Sequence, residues 1–219
     1  PDCLQNAKMW LDANDLAGDG SAIQTWTDHR GADGRPSMSQ NTEASRPTSV
    51  TDAASKKWLY FGGYGSGKYG SLSSKINAIH AFAVVKQVGG LGFLWGMNAN
   101  YYVSFHGSLT ANLGSSFWNA SECSPAVLAG QTYLDGRRID GGTETVKAGI
   151  QLIEWEAGER PAPILNFFND RGIAGRQGGD YVGEVVFFEK HLSDTERQQV
   201  EMYLMRKWEG TVKPSSVTI

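Results

Sequence analysis

Three glutamates that stand close together, Glu154, Glu156 and Glu159, are the first candidates for catalysis. Side chains alternate between the two faces of a strand, so Glu154 and Glu156 would share one face. Two carboxyl groups about 5–5.5 Å apart can cleave a glycosidic bond with retention of configuration. The same pattern is also typical of a solvent-facing strand whose Ile153 and Trp155 point inward, and we favour that interpretation.

Aromatic and amide side chains form a second candidate set, suited to binding rather than catalysis. An aromatic ring offers a flat apolar face to the C–H groups of a sugar, and amides pair with its hydroxyls. Nearby glycines would let a ligand approach the backbone. Each residue of the set is also a candidate core or turn residue. The set is Tyr64, Tyr69, Trp95, Asn98, Asn100, Tyr101, Trp118 and Asn119.

Two loops carry oxygen ligands of the kind that Ca²⁺ prefers. Asp12, Asp15 and Asp19 crowd the first loop, and Asn169 and Asp170 supply a pair in the second. The spacing is not that of an EF-hand, and such residues also form turns without any metal. We therefore expect that no cofactor is required, with a structural calcium ion as the alternative.

The two cysteines, Cys3 and Cys123, leave two interpretations open. A disulfide between them would close a loop of about 120 residues and stabilise the fold by roughly 4–5 kcal/mol. The other interpretation is two separate free thiols.

Charge and hydropathy exclude two classes of partner. The net charge is −3 and no basic stripe is present, so we expect no nucleic-acid partner. The longest apolar runs, such as residues 185–188, have the length of a strand, so we expect no membrane insertion. Pro1 is not a natural start, and the polar segment 211–219 is typical of a linker. We therefore expect one domain, residues 1–210, from a larger chain.

The elements that must position these residues are short strands separated by turns. Segments of alternating hydrophobicity end repeatedly at Gly or Asn, which predicts an all-β sandwich or barrel. Residues 131–139 predict a hairpin with Asp135 and Gly136 in a type I′ turn. Residues 28–55 are polar and predict a long surface segment with little regular structure.

One helix is predicted, and it closes the chain. Ser193 is a suitable N-cap, and Glu196 three residues later completes a capping box. Val200, Leu204 and Trp208 then recur on one face at helical spacing.

Several motifs together resemble a known family. The opening Trp10-Leu11-Asp12-Ala13 with the later Trp26-Thr27-Asp28, the hairpin at residues 133–136, and the closing segments 179–188 and 192–208 are similar to bacterial concanavalin A-like, laminin-G-like domains. The resemblance implies a jelly roll of two antiparallel sheets with one C-terminal α-helix. It implies no single function, because this fold hosts lectins, glycosidases and adhesion modules.

The resemblance also bears on individual residues. Laminarinase-type glycosidases share the fold and carry E-x-D-x-x-E on one strand, which would make Glu154 the nucleophile and Glu159 the acid/base. Here Glu156 replaces the middle Asp, and Ala157-Gly158 would end the strand before Glu159.

For the motif residues we favour structural roles. We expect Trp10, Trp26 and Trp208 to be core or helix-docking aromatics. We expect Glu184 to be a buried carboxylate that accepts hydrogen bonds from backbone N–H groups.

The functional prediction is a non-catalytic, lectin-like carbohydrate-binding module of a larger secreted or cell-surface protein, with a glycan or another surface ligand as its partner. The alternatives are a structural or adhesion module that binds a protein or envelope partner, and a glycoside hydrolase that uses Glu154 and Glu159.

Overall fold

A computed structural model describes residues 1–31, 34–89, 94–97, 113–118 and 123–208. Within them the chain forms strands joined by short connections. The strands are β1 (Met9–Asp12), β2 (Thr25–Trp26), β3 (Met38–Ser39), β4 (Thr48–Thr51), β5 (Lys57–Tyr60), β6 (Gly70–Ala78), β7 (His80–Gln87), β8 (Trp95–Gly96), β9 (Gln131–Leu134), β10 (Arg137–Ile139), β11 (Gly149–Glu156), β12 (Ala162–Phe167) and β13 (Tyr181–Phe188). The helices are α1 (Pro125–Leu128) and α2 (Asp194–Lys207), with 3₁₀ turns at Asp2–Asn6, Ala13–Asp15 and Glu43–Ser45.

The strands build two sheets whose ladders are antiparallel. Sheet A has the order β10-β9-β11-β7-β13-β5-β4, and β1 also pairs with β13. Sheet B has the order β2-β3-β6-β12-β8. The predicted two-sheet antiparallel sandwich with a C-terminal helix is confirmed.

The main core lies between the two sheets. Its largest side chains include Trp26, Trp155, Phe167 and Phe187, all fully buried. Burial of this apolar surface is the main favourable term for such a fold. The prediction that Trp26 is a core residue is confirmed.

A second core covers the other face of sheet A. Phe82 and Val186 from the sheet pack with Val200 and Leu204 from α2 and with Trp208, which directly follows the helix. Sheet A is therefore buried on both faces, whereas an antiparallel sheet often keeps one face in water. This explains why β13 is a nearly continuous apolar run and not an alternating one.

Helix α2 begins as predicted. The Ser193 hydroxyl accepts a hydrogen bond from the Glu196 N–H at 3.2 Å, and the Glu196 carboxylate accepts one from the Ser193 N–H at 2.9 Å. The capping box is thus complete, and it satisfies two N–H groups that a helix start leaves unpaired.

The predicted hairpin is also present. Asp135 and Gly136 join β9 to β10 with φ angles of 51° and 72°. A type I′ turn requires positive φ at both central residues, so the turn prediction is confirmed.

The prediction for residues 28–55 is wrong in part, because β3 and β4 lie inside this segment. Both strands are short. β4 is an edge strand of sheet A, and β3 lies between β2 and β6 in sheet B. Segments of two to four residues are too short to show a hydrophobic period, so no strand could be predicted there. The linker predicted at residues 211–219 lies outside the described residues.

Within the described part of the chain, no helix has the length and apolar character needed to cross a bilayer.

Candidate ligand-binding site at a loop edge

Two glycine-rich loops lie side by side at one edge of the sandwich. The first, residues 62–69, follows β5, and the second, residues 168–179, precedes β13. The Gly63 N–H donates to the Gly179 carbonyl at 2.8 Å, and the Gly65 N–H donates to the Gln177 carbonyl at 2.9 Å. We call these two loops the loop edge. Their backbones are joined directly, so the surface they form is held rigidly on the sheet.

Glycine is required where the two loops meet. Gly178 has a φ of +106°, and a Cβ atom there would lie 2.2 Å from the Gly63 carbonyl oxygen. Any other residue would push the loops apart. The close approach of two backbones thus explains Gly178, whereas the other glycines of the two loops, such as Gly67 and Gly172, adopt positive φ angles without such a contact.

A buried ion pair anchors the second loop. Asp170 is fully buried, and its carboxylate accepts hydrogen bonds from Arg171 Nε at 2.6 Å and from Arg176 Nη1 at 3.1 Å. Asp170 was predicted as a calcium ligand. That prediction is wrong for this structure, because guanidinium groups already face both of its oxygens.

The backbone of the second loop is strained. Phe168 and Arg171 have φ angles of 52° and 54°, which residues other than glycine seldom adopt. The Asn169 side chain accepts a hydrogen bond from the Gly172 N–H at 2.9 Å and holds the turn. Strain of this kind costs about 1–3 kcal/mol per residue and clusters at functional sites.

Tyr64 presents the exposed aromatic surface of the loop edge. Its side chain is 39% exposed. Partial burial raises the pKa of Tyr64, while Arg176 opposes that shift, so the hydroxyl lies within electrostatic reach of the arginine. Tyr69 ends the same loop and is half-buried. The structure therefore places two of the predicted sugar-binding residues on this edge.

Two other predicted contacts are core residues. Trp95 and Trp118 are buried, and Trp118 Nε1 donates to the Thr132 hydroxyl at 2.8 Å. Neither can offer a face to a ligand, so these two predictions are wrong. The remaining candidates, Asn98, Asn100, Tyr101 and Asn119, lie outside the described residues.

The predicted catalytic glutamates are not brought to one surface. Glu154 is fully buried beneath α2, where its carboxylate lies 2.7 Å from His80 Nε2. The solvent-facing interpretation is wrong for Glu154, because α2 covers that face of sheet A. A nucleophile at this position would have no contact with a substrate.

The buried position of Glu154 changes its acid–base behaviour. Burial raises the pKa of Glu154 to about 7 and lowers the pKa of His80 to about 4. Burial, together with a hydrogen bond to Glu154, raises the pKa of Glu201 on α2 to about 9. Together with Arg197, whose Nη1 binds Glu201 and lies 4.0 Å from Glu154 Oε1, these residues form a buried polar cluster between sheet A and α2.

Glu156 and Glu159 lie apart from the buried Glu154. They line a shallow pocket of about 340 Å³, together with Gln131 and His191. Glu156 Oε1 lies 2.7 Å from His191 Nδ1. Glu159 stands beyond the end of β11 and is exposed. The carboxylate pair that hydrolysis requires is thus divided between a buried and an open environment.

Asp12 and Asp15 do come together, and His29 joins them. The potential ligand atoms of this group all lie within 4.8 Å of one another. However, the Lys207 ammonium group already binds the Asp12 carboxylate. The third predicted ligand, Asp19, accepts a hydrogen bond from the Thr51 N–H at 2.7 Å instead. Because Ca²⁺ prefers oxygen ligands, a group that includes an imidazole and a bound ammonium does not support the calcium prediction.

The cysteines are both buried free thiols. Cys123 lies in the core between the sheets, and Cys3 lies in the core beneath α2. Sheet A separates them, so the disulfide interpretation is wrong and the free-thiol interpretation is confirmed. Burial raises the pKa of Cys123 to about 12, which makes this thiol unreactive.

Glu184 joins the opening and closing motifs of the chain. Its carboxylate accepts hydrogen bonds from Trp10 Nε1 at 2.6 Å and Trp208 Nε1 at 2.9 Å. Tyr203 and Lys207 also contact it, at 3.1 and 2.8 Å. Burial of Glu184 is confirmed, but its donors are side chains and not the backbone groups that we predicted. The expected helix-docking role of Trp10 and Trp208 is confirmed as well.

No known protein family, curated protein or solved structure matches the chain. The resemblance to concanavalin A-like domains therefore stays a prediction, and an assignment of function must come from the site itself.

Proposed function

We propose that this protein is a non-catalytic carbohydrate-binding module with a concanavalin A-like fold, and that it holds its ligand at the loop edge. The observation that carries the proposal is the exposed ring of Tyr64 beside the Asp170–Arg176 pair on two rigidly joined loops.

The chemistry of the loop edge suits a sugar. The Tyr64 ring can stack on C–H groups, and the Arg176 guanidinium can donate to hydroxyl or carboxyl oxygens. The glycines expose backbone that a ligand can approach closely. Because the loops are already held by backbone hydrogen bonds, binding would lose little conformational entropy.

The alternatives have less support. A hydrolase acting through Glu154 and Glu159 would need a buried residue as its nucleophile. An adhesion module would be favoured by a large contiguous apolar patch. Among the described residues, the exposed large apolar side chains are instead spread over several elements, and two of them, Tyr64 and Ile173, belong to the loop edge. In this proposal the module belongs to a larger secreted or cell-surface protein.

A glycan array with three proteins tests the proposal: the unmodified chain, Tyr64→Ala and the control Met202→Ala. Met202 is also exposed, but it lies on α2. We expect the unmodified chain and the control to bind the same glycans. Loss of the stacking ring should weaken binding about 10-fold, which corresponds to about 1.4 kcal/mol.

Several results would contradict this. A blank array at high protein concentration would refute carbohydrate as the ligand. Binding by Tyr64→Ala equal to that of the unmodified chain would refute the loop edge as the binding site. Binding to a protein partner that survives enzymatic removal of its glycans would favour the adhesion module.

A further inference from the structure

We infer that the loop edge selects an anionic glycan, one that carries carboxylate or sulfate groups. The inference rests on the proposed function and names the ligand class of the same site.

The first observation is a charge that faces solvent beside Tyr64. Arg176 reaches Asp170 through Nη1, yet 37% of its side chain remains exposed. A guanidinium has five N–H donors, and the bond to Asp170 occupies one of them. Asp170 itself is fully buried and also binds Arg171. The exposed part of this ion pair is therefore cationic.

The second observation is that two more cations adjoin the same loops. Lys68 lies over Gly62, where a Cβ atom would approach the Lys68 Cδ to 2.8 Å. The Lys68 ammonium group donates to the Arg46 carbonyl. The Arg46 guanidinium in turn donates to the carbonyls of Gln40 and Asn41 at 3.0 and 3.2 Å. These acceptors are neutral, so the hydrogen bonds fix both side chains without cancelling their charges.

Among the described residues, carboxylates offset these charges only in part. The next carboxylate along the chain, Asp180, is buried, and it accepts hydrogen bonds from the N–H groups of Val88 and Gly89 at 2.7 and 2.8 Å. Glu43 is exposed and is three residues from Arg46, so its charge opposes one of these cations. The four cations Arg46, Lys68, Arg171 and Arg176 still outnumber the two carboxylates Asp170 and Glu43. The chain as a whole carries a net charge of −3, so the positive charge of the loop edge is opposite in sign to that of the whole protein.

An anionic sugar fits this arrangement better than a neutral one. Its ring can stack on Tyr64 while its carboxylate or sulfate meets Arg176, which offers the planar donor pair that such groups accept in a bidentate manner. Lys68 and Arg46 would add attraction that acts over about 10 Å and weakens with salt. A neutral sugar would gain only the stacking and the weaker hydrogen bonds.

Isothermal titration with matched pairs of oligosaccharides tests this. One pair is oligogalacturonate and its methyl ester, and the other is oligosaccharides of dextran sulfate and of unmodified dextran. At least one charged form should bind about 10-fold more tightly than its neutral partner in 20 mM salt, and 500 mM salt should reduce that preference. The two pairs separate a carboxylate ligand from a sulfate ligand.

The variants are Arg176→Gln and Lys68→Gln, and the control is Arg137→Gln. Arg137 is an exposed arginine on β10 that forms an ion pair with Glu144. The first two should lower the preference for the charged form at least threefold each, and the control should leave it unchanged. Thermal melting identifies any variant that is misfolded, and Lys68→Gln keeps the test valid if Arg176→Gln fails to fold.

The binding site and its selectivity for anionic glycans can be refuted separately. If neutral and charged forms bind equally and Tyr64→Ala abolishes both, the anionic selectivity is refuted and the proposed function stands. If Tyr64→Ala binds every oligosaccharide as the unmodified chain does, the site itself is refuted. If Arg137→Gln lowers the preference as much as Arg176→Gln, the selectivity does not come from the loop edge.

Discussion

Replacement of Glu184 by glutamine should destabilise the protein far more than the loss of one charge at the surface would. Glu184 lies where β13, β1 and α2 meet, and four side chains converge on it: Trp10, Tyr203, Lys207 and Trp208. A glutamine has nearly the same shape but presents one oxygen and one NH₂ group. The NH₂ group would face a donor, so at least one indole N–H would lose its acceptor.

The structure gives a magnitude for this change. An indole N–H left buried without an acceptor costs about 1–3 kcal/mol. Lys207 also loses a carboxylate, although Asp12 still binds it. Burial alone would lower the pKa of Lys207, but Glu184 and Asp12 outweigh that effect and raise it. Removing one partner of a fully buried ion pair costs about 3–5 kcal/mol, and the remaining Asp12 reduces this share. Lys207 is also 20% exposed, so we assign about 1 kcal/mol to this share and about 2 kcal/mol to the indole N–H, which gives about 3 kcal/mol in total.

Urea unfolding followed by tryptophan fluorescence measures this free energy. For a chain of this length, about 3 kcal/mol corresponds to a fall in melting temperature of roughly 6–12 °C. Glu159→Gln is the matched control, since the same substitution at an exposed carboxylate should change stability by less than about 0.5 kcal/mol. A loss for Glu184→Gln below about 1 kcal/mol, or equal to the control, would refute the assignment of Glu184 as the junction of sheet and helix.

Three further predictions concern the cores. Because the pKa of Glu201 is raised from its ordinary 4.5 to about 9, the native state holds a proton that the unfolded chain releases, so stability should fall as pH rises from about 5 to 9. Glu201→Gln, which mimics the protonated acid beside Glu154, should flatten a melting profile over that range, and an unchanged slope would contradict this. Gly183→Ala should cost about 1–3 kcal/mol in urea unfolding, since its Cβ atom would lie 2.6 Å from the Trp208 ring; a neutral effect would show that the ring is not packed there. Thiol titration should detect little reactivity in the native protein and two thiols per chain in denaturant. If no thiol reacts in denaturant, the two cysteines form a disulfide and the free-thiol assignment is wrong.

Local signals predicted the closing half of the fold well. The capping box of Ser193 and Glu196 acts within three residues, and the turn at Asp135 and Gly136 needs only two residues with positive φ. Such features depend on the neighbouring backbone, so the sequence contains nearly all the information about them.

Features set by contacts between distant segments were not predictable in the same way. The alternation around Glu154 suggested a sheet with one wet face, but α2, 40 residues later, covers that face. Trp95 stands in a glycine-rich context that suggested a loop, yet it is buried against Phe187 of the opposite sheet. One-dimensional patterns do not record which elements will pack together.

The candidate site was half predictable for the same reason. Tyr64 could be selected because glycines surround it in sequence. Arg176 and Asp170 belong to a loop that is more than 100 residues away, and no spacing rule connects the two. His29 likewise joins Asp12 only through the fold.

The most direct test of the loop edge as a binding site is a ¹H–¹⁵N titration of the protein with the tightest-binding oligosaccharide from the array. The account predicts that the largest shifts fall on backbone amides of residues 62–69 and 168–179 and on the side-chain N–H of Arg176. Saturating shifts confined to the pocket of Glu156 and His191, with residues 62–69 unmoved, would contradict it.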